Sequence, residues 1–208
     1  MIDIINEVNA IHRQVARQPG SAGEEVAVLV RRSYQAEVED IWSALTEPDR
    51  LARWFSPVTG EFKVGGSYQI QGNAGGEVIE CEPPTYFKVT FGGPDGFVQI
   101  RVTAGAEGTS VLELEHTAPV GAITGSGSGA LYVGPGWDLT LMGLRPYLAG
   151  ELPADNDPLA EANSLEIQQF SKGCIDAWVQ TIAASGTATD EEIAAAKTIS
   201  LAQFSPDV

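Results

Sequence analysis

Three side chains on strand-like segments of this sequence are of types that take part in binding or catalysis. His116 ends an alternating segment, where an inward imidazole could orient a polar ligand atom or accept a proton. Arg32 lies on a second alternating segment, where its guanidinium could grip a carboxylate or a phenolate. Tyr68 lies on a third segment of this kind. Catalysis would require His116, Arg32 or Tyr68 to converge on one cavity.

The histidine and the arginine also have a purely structural interpretation. A single inward histidine is commonly a core residue hydrogen-bonded to the backbone, and no carboxylate of matching parity accompanies His116 on its strand. Arg32, near the end of its strand, can extend its head to water or pair with a nearby acid. The sequence therefore predicts no catalytic residue and favours binding as the use of these groups.

Other kinds of reaction centre find no support in the sequence. The two histidines and two cysteines lie in four separate elements without a short ligand spacing, so we predict no metal site. The GSGSG run at 125–129 lacks the strand–loop–helix spacing of a phosphate-binding loop, and no acid follows at the ribose position. A G-x-S-x-G nucleophile motif is not found, which leaves hydrolase chemistry without support.

The charge and the cysteine usage restrict the partners and the compartment. The formal net charge of -16 repels phosphate backbones and anionic lipid headgroups, so we expect neither nucleic acid nor membrane surfaces as partners. No apolar run approaches the length of a membrane span, and the N-terminal residues lack a basic region. Cys81 and Cys174 are isolated thiols, which indicates a reducing compartment. We expect the protein to be cytoplasmic.

The elements that must position these side chains follow from hydrophobic periodicity. Alternation with a period of two predicts strands at 25–35, 59–64, 67–71, 77–81, 86–91, 97–104 and 109–116. Short turns rich in Gly, Pro and Asp separate consecutive strands, which requires antiparallel pairing. Helical spacing marks 38–45, 47–55 and 137–150. We therefore expect an α+β fold in which helices cover one face of a seven-stranded antiparallel sheet.

Both ends of the chain carry further helical patterns. Ile4, Val8, Ile11 and Val15 recur at helical spacing. This predicts an N-terminal amphipathic helix within 1–20, ahead of a sheet domain at 21–150. Residues 151–208 contain two helical patterns with a wide apolar stripe, the second of them beginning with a capping box at Thr189 and Glu192. Such a stripe must be covered, so we expect this C-terminal helical extension to pack on the domain or on a partner subunit.

Four sequence runs, in this order, carry a family resemblance. They are VRRSYQAEVEDIWSALTEPDRLARWFSP (30–57), VGGSY (64–68), GEVIECEPPTYFKVTF (76–91) and GWDLTLMGLRPYL (136–148), which follows a glycine loop. Together they resemble the SRPBCC superfamily of START-like proteins, and within it the branch similar to the C-terminal domain of the activator of heat-shock-protein ATPase. The resemblance implies the helix-grip fold, a curved antiparallel sheet wrapped around a long C-terminal helix. The C-terminal extension is similar to one in some bacterial members.

The resemblance also implies a cavity between the concave sheet face and the long helix, usually occupied by apolar ligands. Strand parity indicates which side chains would line it, and it places Glu113 and Glu115 towards solvent. The expected lining consists of Arg32, Trp54, Phe55, Tyr68, Ile70, Phe87, Val89, Phe91, Val98, Ile100, Leu112, Leu114, His116, Trp137, Leu141 and Leu144. A mostly apolar lining with few polar groups is typical of small-molecule pockets. Alternatively, these side chains meet and fill the space as a packed core.

We therefore predict the non-catalytic binding of a small hydrophobic molecule, without a cofactor, by a monomer or homodimer. An alternative from another class is a protein–protein module of the chaperone-ATPase-activator type. A second alternative, a cyclase- or dehydratase-like enzyme, follows from the resemblance because some superfamily members have such activities.

Overall fold

The computed structural model describes residues 2–20, 23–120 and 125–208 of this α+β protein. Within these residues the strands are β1 His12–Gly20, β2 Gly23–Tyr34, β3 Val58–Gly60, β4 Ser67–Ile70, β5 Gly75–Glu82, β6 Tyr86–Thr90, β7 Phe97–Ala104 and β8 Ser110–Pro119. The helices are α1 Ile4–Asn9, α2 Val38–Thr46, α3 Pro48–Trp54, α4 Ala130–Leu148, α5 Pro158–Glu161, α6 Leu165–Ser185 and α7 Asp190–Phe204. A short 3-10 helix, Gly127–Gly129, precedes α4.

The eight strands of the described residues form one sheet in the order β1-β2-β8-β7-β6-β5-β4-β3. The pairs β3/β4, β4/β5, β5/β6 and β6/β7 are antiparallel. An antiparallel sheet together with the 19-residue helix α4 is consistent with the helix-grip fold expected from the sequence. The sheet has one strand more than the seven predicted, because β1 lies where a helix was expected.

The helix predicted within 1–20 is wrong for most of its length. Helix α1 covers only Ile4–Asn9, and His12–Gly20 forms strand β1. Ile11 and Val15 are both buried. Their separation of four residues fits one face of a helix and also one face of a strand, so the pattern alone does not distinguish the two. Hydrogen bonding to β2, the next strand along the chain, selects the strand.

Contacts along the chain divide it into two compact units. Unit 1 comprises Met1–Val30, Thr117–Leu141 and Ala162–Val208, and unit 2 comprises Arg31–His116 and Met142–Glu161. Unit 1 thus gathers both ends of the chain, and unit 2 contains strands β3 to β7.

In unit 1 the long helix α6 is the main packing element. It contacts β1, α1 and α7. A Cβ atom at Gly173 would lie 3.1 Å from a methyl group of Val8 and 3.7 Å from one of Ile4, so α1 packs directly on the backbone of α6. The side chains of α6 that are 0% exposed are Phe170, Cys174, Ile175, Trp178 and Ile182. Elements of the same chain therefore cover the apolar stripe of this helix.

Helix α7 begins with the capping box that the sequence predicts. The Thr189 hydroxyl accepts a hydrogen bond from the Glu192 backbone N–H, and the Glu192 carboxylate accepts one from the Thr189 N–H at 2.8 Å. Because the first turn of a helix leaves its N–H groups without partners, this reciprocal pair fixes where α7 starts.

In unit 2 the short helices α2 and α3 pack on the sheet. Helix α2 contacts β7, and α3 contacts β3 and α5. Pro48 occupies the first turn of α3, as predicted, where its missing N–H has no helical partner to lose. The indole N–H of Trp54 donates to the carbonyl of Ala44 at 3.0 Å, which ties α3 to α2.

Candidate ligand-binding face

Unit 2 presents an apolar row on the inward face of β6 and β7. The register pairs Phe87 with Ile100 and Val89 with Val98 across the two strands. None of these four side chains is more than 7% exposed. The inward parity predicted for both strands therefore agrees with their burial.

Strand β8 alternates strictly along its length. Leu112, Leu114 and His116 are buried, whereas Glu113 and Glu115 between them are half-buried rather than fully solvent-exposed. A shift of one residue would have placed the two carboxylates on the buried face. The register predicted for this strand is thus confirmed.

His116 lies in an apolar environment. Its ring contacts the ring of Phe91 edge to face, with 5.3 Å between the centroids. Burial lowers the pKa of His116 to about 4, because the imidazolium would lose its hydration. The imidazole is therefore neutral at pH 7, a form with one donor and one acceptor nitrogen.

Arg32 is buried rather than extended to water. The residue is 5% exposed, and its guanidinium carbon lies 5.6 Å from the centroid of the Tyr34 ring. Among the arginines and lysines described in unit 2, Arg32 alone is fully buried. Its neighbour Arg31 is exposed, as expected for adjacent residues of one strand.

Four further residues of the predicted lining in unit 2 differ in burial. Trp54 and Ile70 are buried, and Phe55 and Tyr68 are half-buried. The Tyr68 hydroxyl donates to the carbonyl of Thr90 at 2.7 Å, and burial raises the pKa of Tyr68 to about 12. Its phenol stays protonated and bonded to the backbone near neutral pH, which makes it unsuitable as a general acid or base there.

The three predicted residues of the long helix fall into different units. Leu144 is fully buried in unit 2. Trp137 and Leu141 are buried in unit 1. All other residues of the predicted lining belong to unit 2, whose inward face therefore carries most of the candidate site. A lining role for Trp137 and Leu141 stays a prediction.

A bulge in β5 adds Cys81 to this face, which the sequence did not indicate. The register shifts between Val78 and Glu80, so that Cys81 lies opposite Phe87 of β6. A bulge inserts one residue into a strand and reverses the alternation beyond it, and no periodic pattern reveals that. Burial raises the pKa of the Cys81 thiol, so this residue contributes a neutral, weakly polar group.

An aromatic cluster adjoins the same end of the row. The rings of Trp42 and Phe62 contact the Phe87 ring edge to face, at centroid distances of 5.8 Å and 5.1 Å. Helical spacing identified Trp42 as apolar without indicating its contacts, and no pattern singled out Phe62 in the turn after β3.

Unit 1 contains a buried polar cluster around Asp138. This residue of α4 is 0% exposed, and its Oδ2 accepts hydrogen bonds from Nε of Arg13 at 3.0 Å and Nε1 of Trp178 at 2.8 Å. Arg13 also reaches the sulfur of Cys174 at 3.6 Å. The four residues come from β1, α4 and α6. No sequence spacing connects segments so far apart, and sequence reasoning missed the cluster.

The chemistry of this cluster points to packing rather than catalysis. Burial raises the pKa of Asp138 to about 6, although Arg13 opposes this shift. Burial also raises the pKa of the Cys174 thiol, which keeps it protonated and unreactive. The indole of Trp178 lies so close to α4 that a Cβ at Gly134 would be 2.4 Å from a ring carbon. A glycine at this position is what lets the two helices meet.

We expect His116 to reduce the stability of the protein as the pH falls from about 6.5 to about 4. In this window the unfolded imidazole binds a proton and the folded one does not, so acid favours unfolding. The loss approaches roughly 3 kcal/mol once both states are protonated. Denaturant titrations at several pH values should show this loss for the wild type and not for His116→Gln.

The wild type must be compared with His116→Gln at each pH, because Asp138 changes the stability with pH in the opposite direction to His116. Its folded pKa of about 6 lies above the ordinary value of 3.8, so between these values the folded state binds more protons and acid favours folding. Parallel stability curves for the wild type and His116→Gln would contradict the buried neutral state of this histidine.

Groups of possible metal ligands and long apolar helices are both absent from the described residues. Over residues 2–20, 23–120 and 125–208, no three or more His, Cys, Asp or Glu side chains cluster in a way that could hold a metal ion. No helix in this part of the chain is long and apolar enough to cross a membrane.

The sheet of the described residues and the long helix α4 are consistent with a START-like protein of the helix-grip type. A model of the family described as activator of Hsp90 ATPase homolog 1-like protein matches residues 35–149, more than half of the chain. The chain belongs to this family, as the sequence runs 30–57 to 136–148 indicated. The comparison with curated proteins gives no match.

Solved structures similar to this chain include CalU16 from Micromonospora echinospora. Its crystal structure is 30% identical, with a TM-score of 0.67, over 84% of this chain and 99% of CalU16. Its solution structure is 31% identical, with a TM-score of 0.70, over 85% of this chain and 97% of CalU16. DynU16, a protein of the dynemicin biosynthetic locus, is 28% identical with a TM-score of 0.53, over 63% of this chain and 50% of DynU16. The Aha1 dimer from Colwellia psychrerythraea, 18% identical over 60% of this chain and 97% of its own, has a TM-score of 0.52 and is similar in fold alone.

Proposed function

We propose that unit 2 binds a small hydrophobic molecule on its inward sheet face and does not convert it. The observation that carries this proposal is a buried arginine and a buried, neutral histidine on the neighbouring strands β2 and β8 of a unit whose inward rows are apolar. Arg32 is 5% and His116 6% exposed, and Leu112 and Leu114 of β8 are each 1% exposed. A few polar groups in an apolar lining fix the orientation of a ligand without lending much to its total contact area.

The same groups argue against acid–base catalysis. A general base works best with a pKa near the working pH, and the pKa of His116 lies at about 4. The phenol of Tyr68 is bonded to the backbone and has a pKa of about 12. Binding is therefore favoured over a cyclase- or dehydratase-like activity.

The chemistry of Arg32 suggests the class of ligand. A buried guanidinium favours a carboxylate, sulfonate or phenolate, and such charge-assisted hydrogen bonds are stronger than neutral ones. The rows around Phe87 and Leu114 favour an apolar body, preferably a flat or branched one. We propose an apolar molecule with one acidic or strongly accepting group.

The proposal is tested with anilinonaphthalene sulfonate, a fluorescent probe with an apolar body and one anionic group. We expect the native protein to bind it and Arg32→Met to weaken binding by about tenfold or more, because a hydrogen bond to a charged group contributes about 1.5–3 kcal/mol. His116→Gln should stay within about tenfold of the wild type, since one neutral hydrogen bond contributes about 1 kcal/mol. Fluorescence titration measures each affinity.

Arg31→Met is the matched control, because Arg31 is adjacent on the same strand and exposed. Circular dichroism melting must show that every variant compared is folded. Equal affinity of the Arg31 and Arg32 variants, or no binding by the folded wild type, would refute the proposal. Native mass spectrometry of freshly purified protein can then identify a molecule that co-purifies.

A further inference from the structure

Strand β8 begins with a buried serine. Ser110 is 1% exposed. It shares the buried face of the strand with Leu112, Leu114 and His116. Because side chains alternate along a strand, the Ser110 side chain is directed to the inward face of unit 2. The lining expected from the sequence did not include this residue.

The hydroxyl of Ser110 has no hydrogen-bond partner among residues 2–20, 23–120 and 125–208. A hydroxyl can donate one hydrogen bond and accept two. Leaving a buried polar group unbonded destabilises a protein, and most such groups in folded proteins do have a partner. A group that is unbonded in the free protein and faces a binding site is therefore available to a ligand.

Ser110 lies at the same end of the sheet as Arg32. Strands β2 and β8 are neighbours. The side-chain amide of Gln35, just after β2, donates to the carbonyl of Glu107, just before β8, at 3.1 Å. The end of β2 thus meets the start of β8, as in an antiparallel pair. Arg32 and Ser110 are each three residues from this contact, or about 10 Å along their strands, and both belong to one corner of the inward face.

His116 is remote from this corner. It follows Ser110 by six residues, which corresponds to about 20 Å along the strand. A compact group bonded to Arg32 and Ser110 therefore does not reach the imidazole. The polar side chains of β2 and β8 on this face are thus one pair and one separate histidine.

We propose that the Ser110 hydroxyl donates a hydrogen bond to the acidic group of the ligand, beside the guanidinium of Arg32. This inference rests on the proposed function, because it assigns a second donor to the same site. A carboxylate or a sulfonate has several oxygen atoms, so that each donor can bond a different one. A phenolate has a single oxygen to share between the two. The corner therefore favours a carboxylate or a sulfonate over a phenolate.

The test compares two fluorescent probes, anilinonaphthalene sulfonate and the uncharged N-phenyl-1-naphthylamine, which has the same rings without the sulfonate. We expect Ser110→Ala to weaken binding of the sulfonate by about tenfold, because a hydrogen bond to a charged group is stronger than a neutral one. Binding of the uncharged probe should not change, since it lacks the group that Ser110 bonds. Fluorescence titration measures both affinities.

The same substitution should stabilise the free protein. Alanine removes a buried polar group without removing a hydrogen bond, so we expect a melting temperature about 2–4 °C above that of the wild type. Circular dichroism without a probe measures this shift. A side chain that only supports the fold would not change stability and probe affinity in opposite directions.

Ser171→Ala is the matched control. Ser171 of α6 is 0% exposed and its hydroxyl also has no partner in the described part of the chain, but it lies in unit 1. This variant should gain stability in the same way and bind both probes as the wild type does.

A lower melting temperature of Ser110→Ala, or equal weakening of both probes, would overturn the inference. Unchanged sulfonate binding by Ser110→Ala, with weakened binding by Arg32→Met, would overturn it as well and leave the proposed function standing. A folded wild type that binds neither probe would instead refute the proposed function, and this inference with it.

Discussion

Replacing Arg13 with methionine is expected to lower the free energy of unfolding by about 3–5 kcal/mol near pH 8, because it leaves a buried carboxylate without its charge partner. The Arg13 side chain is 6% exposed and Asp138 0%, so water cannot take over the role of the guanidinium. Methionine keeps much of the apolar stem, and the loss therefore reports the charge rather than the volume. Urea denaturation followed by tryptophan fluorescence measures the effect.

Two further variants make the interpretation of Arg13→Met specific. Arg17→Met removes the arginine of an ion pair with Glu24 on the neighbouring strand β2, but both side chains are more than one third exposed, so we expect a loss of less than about 1 kcal/mol. Arg13→Met/Asp138→Asn removes both charges and should recover part of the stability, because the amide still accepts the Trp178 N–H. If the double variant were no more stable than Arg13→Met, the buried charge would not be the cause.

A chain that ends at Glu161 should fail to fold cooperatively and should aggregate. Removing residues 162–208 exposes the surfaces of β1 and α1 that α6 covers, and it removes one of the two hydrogen-bond donors to Asp138. Large apolar surfaces left open in this way promote association. Size-exclusion chromatography and thermal melting measure both effects.

The corresponding full-length variant is Phe170→Ala/Trp178→Ala, which keeps the chain length and removes two side chains that are 0% exposed. Each large-to-small change in a core of this kind lowers stability by about 3–5 kcal/mol, so most of the truncation's effect should reappear. A soluble truncated protein with an unchanged melting temperature would show that residues 162–208 are not needed for the fold.

The sequence predicted most accurately those strands that have one buried and one more exposed face. On β8, strict alternation placed Leu112 and Leu114 inside, because one face of the strand is covered and the other is not. The same rule fails at the β5 bulge, where one additional residue brings Cys81 opposite Phe87. It also fails at the start of β1, because Ile11 just before the strand and Val15 within it have a separation that suits a helix as well as a strand.

The buried polar contacts could not be predicted, since they depend on which segments meet in space. Arg13 and Asp138 are 125 residues apart in the sequence. Each is a charged residue of a type usually found on the surface, so neither alone indicates burial. The candidate ligand face could be predicted in part. Its apolar members follow from parity, whereas the burial of Arg32 becomes apparent only when the packed structure is known.

The family model spans residues 35–149, and that range contains Asp138 but neither Arg13 nor Trp178. The Oδ2 atom of this acid is thus bonded by residues from the two segments that the family model leaves out. The bounds of the family match are therefore not the bounds of a self-sufficient piece of this chain. A fragment cut at residues 35 and 149 would keep Asp138 and lose both of its hydrogen-bond donors, together with the elements that bury it.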